Sequence, residues 1–300
     1  MKMFWRLLML ELRIYFRTPV AVVWTFLFPT VLLSVMLISF EQKIRQSLPD
    51  ASPIALPFTE LIAGHGPISY PAFLLPGCVV LMLYASCLFR FAVPLAGLRQ
   101  SGFMRTSALF PVPAITHVGV AIVSHIVIIV FFCGALYAYA ALVFGVPLPP
   151  SATALGLSVA LLLLGSMALL SLGLVIGTRT QSTSQAVLIC YLIYYPSVLM
   201  SNLLVPDRVL PDWMAAIAGV FPLRSLVDAL RLAVVGHLGM TDLARTVAFL
   251  AGWAIACLLL IRPRRLWYAT QRDLVRFVIK RARRRLIRLS IRRAPRPASG

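Results

Sequence analysis

Apolar side chains run along this chain in blocks longer than a soluble element needs. From Thr153 to Gly177 no ionisable side chain occurs in 25 residues. As a helix that stretch measures about 37 Å, more than the hydrocarbon core of a bilayer. Comparable blocks run at about 20–40, 71–97, 115–144, 187–205 and 246–261. None shows the ten-residue alternation of a membrane barrel, so the pattern predicts six transmembrane helices in an all-α, polytopic fold. Before the first block the period changes. Trp5, Leu8, Met9, Leu12, Tyr15 and Phe16 recur at helical spacing, with Arg6, Arg13 and Arg17 on another side. Residues 1–17 therefore predict an amphipathic helix lying in the membrane interface, separated from the first span by Thr18-Pro19. The first block continues into Glu41-Gln42-Lys43 without a small-residue cleavage site, which predicts a retained anchor. Residues 41–70 are read as a loop.

The segment 206–245 breaks the pattern. It is moderately apolar, but Pro206, Pro211 and Pro222 interrupt it. Arg224, Asp228 and Arg231 follow at i, i+4 and i+7, one helical face. Each ionised group at mid-bilayer costs about 2.5–3.5 kcal/mol on insertion scales, and the piece after Pro222 spans only about 20 Å. A seventh crossing is therefore disfavoured, and the segment predicts a re-entrant helical hairpin between spans five and six.

Composition agrees: 60% of residues are hydrophobic, 12% are charged, and mean hydropathy is +0.92. Charge then sets the orientation. Of 28 Lys and Arg, fourteen follow residue 261 and four precede the first span. With both termini cytoplasmic, 21 basic residues lie inside and six outside, with Arg90 within a span. The net charge of +19 thus follows membrane topology rather than nucleic-acid binding. The chain divides into a transmembrane domain over 1–262 and a basic cytoplasmic tail over 263–300. Trp267, Leu274, Val278, Leu286 and Leu289 recur at helical spacing in that tail. Either an amphipathic helix on anionic lipid or a solvated basic end fits that spacing. The five cysteines lie in apolar blocks without metal-ligand or redox spacing and read as packing residues.

Several motifs now acquire a common meaning. Pro222-Leu223-Arg224-Ser225, five residues and Arg231 resemble the Pro-Leu-x-Ser-x5-Arg core of type-2 ABC exporter permeases. Pro206-x4-Pro211-x-Trp213 is similar to the paired-proline entry of that family's hairpin. Arg99-x2-Gly102-x2-Arg105, with Phe110, Pro111 and Pro113 beyond, resembles the loop that contacts the ATPase. Pro29 in the first span and Leu75-Pro76-Gly77 opening the second also match. The likeness covers nearly the whole chain and is greatest to drug and antibiotic efflux members. It departs at Leu98 and Gln100, where the family usually carries an acidic residue beside the arginine, and at Ser201-Asn202, near a usual glycine. The resemblance implies a pathway formed with a second permease, identical or homologous, and driven by two ABC ATPase subunits in the cell membrane.

The chain has no Gly-x4-Gly-Lys-Ser/Thr phosphate loop, so ATP and magnesium are expected on the partner ATPases and no cofactor or metal on this chain. Two other classes stay open. Arg90 suits a secondary transporter or channel, although no internal repeat and no intramembrane carboxylate accompany it. A membrane-embedded transferase would need a base, nucleophile or metal carboxylates. His117 and His125, eight residues apart without a nearby acid, read as packing or cavity-lining residues, and Asp207 and Asp212 flank a turn. Tyr191, Tyr194, Tyr195 and Asn202 bracket Pro196 in span five and form the candidate path for an amphipathic cargo, or an interface anchor.

Overall fold

The computed structural model describes residues 2–47, 57–61, 67–101, 114–146, 149–201, 203 and 212–261. Gly102, Arg105, Phe110, Asn202, the paired prolines Pro206 and Pro211, and the tail after residue 261 lie outside them. Nine helices are present among the described residues. α1 is Lys2–Phe16. α2 covers 19–47, with a π-helical stretch at Val23–Leu27. α3 is Tyr70–Gln100, with another at Ser86–Ala92. α4 is Ala114–Phe144, α5 Ala152–Arg179 and α6 Thr183–Met200. Two short helices follow, α7 at Asp212–Ala218 and α8 at Pro222–Val235, and then α9 at Met240–Leu260.

The body is all-helical. The segment read as a loop over 41–70 departs from expectation at both ends. α2 runs on to Ser47, and a short antiparallel hairpin pairs β1 (Pro57–Leu61) with β2 (Pro67–Ser69). Phe58, Thr59 and Ile68 are good strand formers. The hairpin's register slips between Phe58 and Leu61.

Among the described residues five helices are long and apolar enough to cross a membrane: α3, α5, α6, α9 and residues Gly119–Phe144 of α4. The first apolar block contributes the shorter stretch Thr25–Ser39. Its helix is continuous, but its last turns carry Glu41, Lys43 and Arg45, which shortens the apolar part.

Local chemistry explains where the helices begin and end. Thr18-Pro19 ends α1, and the Thr18 hydroxyl closes it by donating to Ile14 O at 2.8 Å. Ser151 and Ser182 are the N-caps of α5 and α6, each accepting a main-chain N–H three residues on, from Ala154 and Gln185. Pro222 occupies N1 of α8, where its missing N–H leaves no helical bond unmade and its fixed φ suits the turn. Gly236, at φ 83°, stops the same helix in the left-handed region that glycine tolerates.

α3 is the centre of the molecule, with 89% of its most apolar window buried. α5 lies along it, and the two backbones nearly touch. A Cβ on Gly173 would come within 2.6 Å of Cys87 O, and one on Gly177 within 2.9 Å of Ala92 O. Small residues at i and i+4 permit such packing where lipid gives helices no hydrophobic reason to associate. α8 sits against α3, α5 and α9, burying Leu223, Leu226, Val227, Leu230 and Val234. α1 packs on α4. The apolar stripe foreseen for α1 is divided. Leu8 and Tyr15 turn inward, whereas Trp5, Met9 and Phe16 join Leu10 and Ile14 on an open face around Arg6, Arg13 and Arg17.

The tightest approach is at Gly77, where an added Cβ would stand 2.0 Å from Leu203 O, in the segment following α6. Gly77→Ala should therefore destabilise by about 1–3 kcal/mol or more, since the obstacle is backbone. Gly134→Ala, with nothing within 4 Å of the added carbon, should be neutral or stabilising by about 0.4–1 kcal/mol. Thermal unfolding of the purified chain in detergent measures both, and equal melting temperatures would contradict the contact.

Candidate functional site

The charged face of α8 forms a connected site. Asp228 lies between its two arginines: its Oδ2 is 3.9 Å from Arg224 Nε, and Arg231 Nη1 donates to its Oδ1 at 3.3 Å. The pairs are unequal. Arg224 and Asp228 are 28% and 29% exposed, while Arg231 is wholly buried. Arg231 is the largest side chain fully enclosed by the described residues.

Its remaining donors go to main chain. Nε donates to Phe73 O at 3.0 Å, Nη2 to Leu203 O at 3.3 Å, and the guanidinium lies 3.6 Å from the centre of the Phe73 ring. One side chain thus fastens α8 to the first turn of α3 and to the chain leaving α6. This is the same Leu203 carbonyl that presses on Gly77. Pro222 and Ser225, the other motif residues, hold the helix start: Pro222 is buried at N1 and Ser225 is half-buried.

A second arginine, Arg99, does similar work near the other end of α3, about 39 Å along the helix from Phe73. Arg99 Nη1 donates to Gly177 O and Thr180 O, both at 3.2 Å, and to Thr178 O. These carbonyls form the C-terminus of α5, which carries the negative end of its dipole and lacks helical donors. Gln100 Oε1 accepts from Thr183 N at 2.9 Å and from Thr183 Oγ1 at 3.0 Å, at the start of α6. Arg179, in turn, donates from Nη2 to Leu260 O at 2.8 Å, the last carbonyl of α9. The expected ATPase-docking residue is therefore engaged within the chain. Gly102, Arg105 and Phe110, its companions in that expectation, fall outside the described residues.

The α6 tyrosines do form one cluster. Tyr191 and Tyr195 stack at 5.6 Å with an 11° interplanar angle, and Tyr194 meets Tyr195 edge-on at 5.6 Å. Tyr194 also stacks on Tyr84 of α3 at 5.3 Å, and Tyr191 lies 4.7 Å from Phe89. The two faces differ. Tyr84 is buried and donates to Ser197 Oγ at 3.3 Å, whereas Tyr191 and Tyr195 are 45% and 58% exposed beside Leu188, Leu192 and Leu199. Asn202 of the same prediction is not among the described residues.

The partner of Arg90 was not legible in the sequence. Its guanidinium lies 3.6 Å from the centre of the Tyr15 ring, from α1, and its buried Nη1 has no hydrogen-bond partner among the described residues. One turn before Tyr15, Glu11 accepts from Ser124 Oγ of α4 at 3.0 Å. The helical period of α1 places Glu11 and Tyr15 on one face, the only signal that pointed there. His125 is buried with Nε2 3.4 Å from Cys87 Sγ, which fits a packing histidine. His117 lies on the same helix, α4. On the open face of α1, a cavity of about 480 Å³ is lined by Trp5, Arg6, Met9, Leu10 and Arg13.

The triad yields a ranking. Removing the carboxylate beside an enclosed guanidinium strands a charge, so Asp228→Asn should destabilise by about 2 kcal/mol, reduced from the fully buried case by the exposure of Asp228. Arg224→Gln leaves the Asp228–Arg231 pair intact and should change stability by less than about 1 kcal/mol. Thermal unfolding in detergent reads both; equal shifts would show that Asp228 does not serve Arg231.

The family model for ABC-2 type transporters matches residues 2–235. That is well over half of the chain, and the chain belongs to this family. None of the curated proteins compared matches it. The matched region takes in α1, the clamp at Arg99, the aromatic cluster and the whole of α8.

Proposed function

We propose that this ABC-2 family member is the membrane-spanning permease of an ATP-driven exporter in the cytoplasmic membrane. The family match together with the lack of a phosphate loop in the chain carries the reading. ATP and magnesium then belong to two ABC ATPase subunits, and a second permease, identical or homologous, completes the pathway. Six spans put both termini and most of the basic residues in the cytoplasm. α7 and α8 form the re-entrant hairpin on the outer side. What supports this is length and charge: α8, at 14 residues, is about 21 Å long and carries three ionised groups, too short and too polar to cross alone.

The cargo is an amphipathic small molecule, a drug or a lipid-linked compound. Tyr191 and Tyr195 offer it two parallel, accessible rings with polar tips. α1 lies in the inner interface, where its three arginines reach anionic lipid while Trp5, Met9 and Leu10 enter the acyl boundary. The basic tail beyond residue 262 adds to that attraction.

The chain, co-expressed with ABC ATPases of its own genome, should co-purify with one of them. In proteoliposomes the complex should accumulate an aromatic amphiphile only with ATP. Tyr191→Ala and Tyr195→Ala should each weaken the apparent affinity about fivefold, about 1 kcal/mol of ring contact. A maleimide probe at Met240→Cys should react from the outside of intact cells. Transport that needs no ATPase partner would overturn the reading, and labelling only after permeabilisation would overturn the topology.

A further inference from the structure

Arg99 and Gln100 are neighbours in the last turn of α3, yet they hold different helices. Arg99 takes three carbonyls at the end of α5, and Gln100 takes the amide and hydroxyl of Thr183 at the start of α6. The α5–α6 turn between them is short and separately ordered: Ser182 caps α6, and Gln185 Oε1 accepts from Gln181 N at 3.1 Å. Arg179, inside the same turn region, carries the connection to the end of α9.

The contacts beneath are backbone against backbone. Gly173 faces Cys87 O and Gly177 faces Ala92 O, so α3 and α5 approach backbone to backbone at two points, with Phe91 and Leu95 of α3 packed beside them. Four elements therefore meet at one end of the bundle, joined by hydrogen bonds that have neutral acceptors throughout.

We propose that Arg99 and Gln100 form a two-pronged latch that makes the α5–α6 turn move as one body with the end of α3, so that a push on the segment after Gln100 reaches α5 and α6 directly and α9 through Arg179. Both are positioning residues rather than ATPase ligands. The proposal rests on the transport reading above, and it assigns Arg99 a role different from docking. Gln100 serves through its carbonyl oxygen, the only atom that both Thr183 donors use. A glutamate at that position keeps the acceptor and adds a charge favourable at a helix N-terminus.

The test places spin labels at Leu98 and Ser184, both exposed, in the full chain reconstituted with its ATPase, and measures their separation without nucleotide and with ATP. The latch predicts one narrow distance, the same in both states. Arg99→Ala and Gln100→Leu should broaden it and lower transport per ATP hydrolysed about tenfold, with ATPase co-purification kept; Gln100→Glu should restore both the narrow distance and the transport ratio. Because Gln100 is exposed, its variants remain informative if Arg99→Ala fails to fold. A separation in the wild-type chain that changes with ATP would overturn the latch. So would an unaltered distance in both Arg99→Ala and Gln100→Leu, or loss of ATPase co-purification at an unaltered distance, which would make Arg99 a docking residue. If the wild-type complex shows no ATP-driven transport, the transport reading fails; the distance distributions with and without the substitutions still decide whether the latch exists.

Discussion

Main-chain carbonyls in apolar surroundings need donors, and in this protein arginines supply several of them. Water satisfies such groups in a soluble protein, but none is present in the bilayer core. Arg231 donates to Phe73 O and Leu203 O, Arg99 to the end of α5, and Arg179 to the end of α9. Each bond of the enclosed Arg231 contributes about 1.5–3 kcal/mol, since the alternative is an unsatisfied carbonyl, whereas the exposed bond of Arg179 contributes less. At the ends of α5 and α9 the positive guanidinium also meets the negative end of a helix dipole. Helix ends that would otherwise be weak points become junctions between helices.

Those junctions lie towards the two ends of α3, and the exposed aromatic face of α6 lies between them. At the Arg231 end, α8 is fastened across α3 and the exit from α6, which leaves Arg224 and Asp228 partly exposed beside the buried Arg231. At the Arg99 end, the ends of α3, α5 and α9 and the start of α6 are joined. Between the two, α6 presents Tyr191 and Tyr195 on its open side, supported from behind by Tyr84, Phe89 and Tyr194.

Five of the six predicted spans were legible because long, nearly uncharged apolar runs have few other uses, and α8 was legible through Pro222 and the Arg224–Asp228–Arg231 spacing. Partners were much harder to see. Arg99 and Gly177 are 78 residues apart, and the acceptor is a carbonyl that every residue possesses, so no side-chain pattern marks it. The same applies to Arg231, whose acceptors lie 158 and 28 residues away. Arg90 was visible as an isolated intramembrane charge, but its placement over Tyr15 depends on how α1 meets α3. The amphipathic reading of α1 located the inward face only in part, because apolar residues flank its arginines on both sides. The hairpin of β1 and β2 was missed since three- and five-residue strands leave too short an alternation to read.

The claim on which the account depends is that Arg231 is present to supply donors to backbone carbonyls. Arg231→Met tests it directly: it keeps most of the volume and removes every donor. In purified full-length protein, amide hydrogen exchange across Leu226–Val234 of α8 should accelerate by an order of magnitude or more, while the middle of α9 stays protected. Unchanged protection of α8 in Arg231→Met would mean that packing alone holds the helix, and would contradict the account.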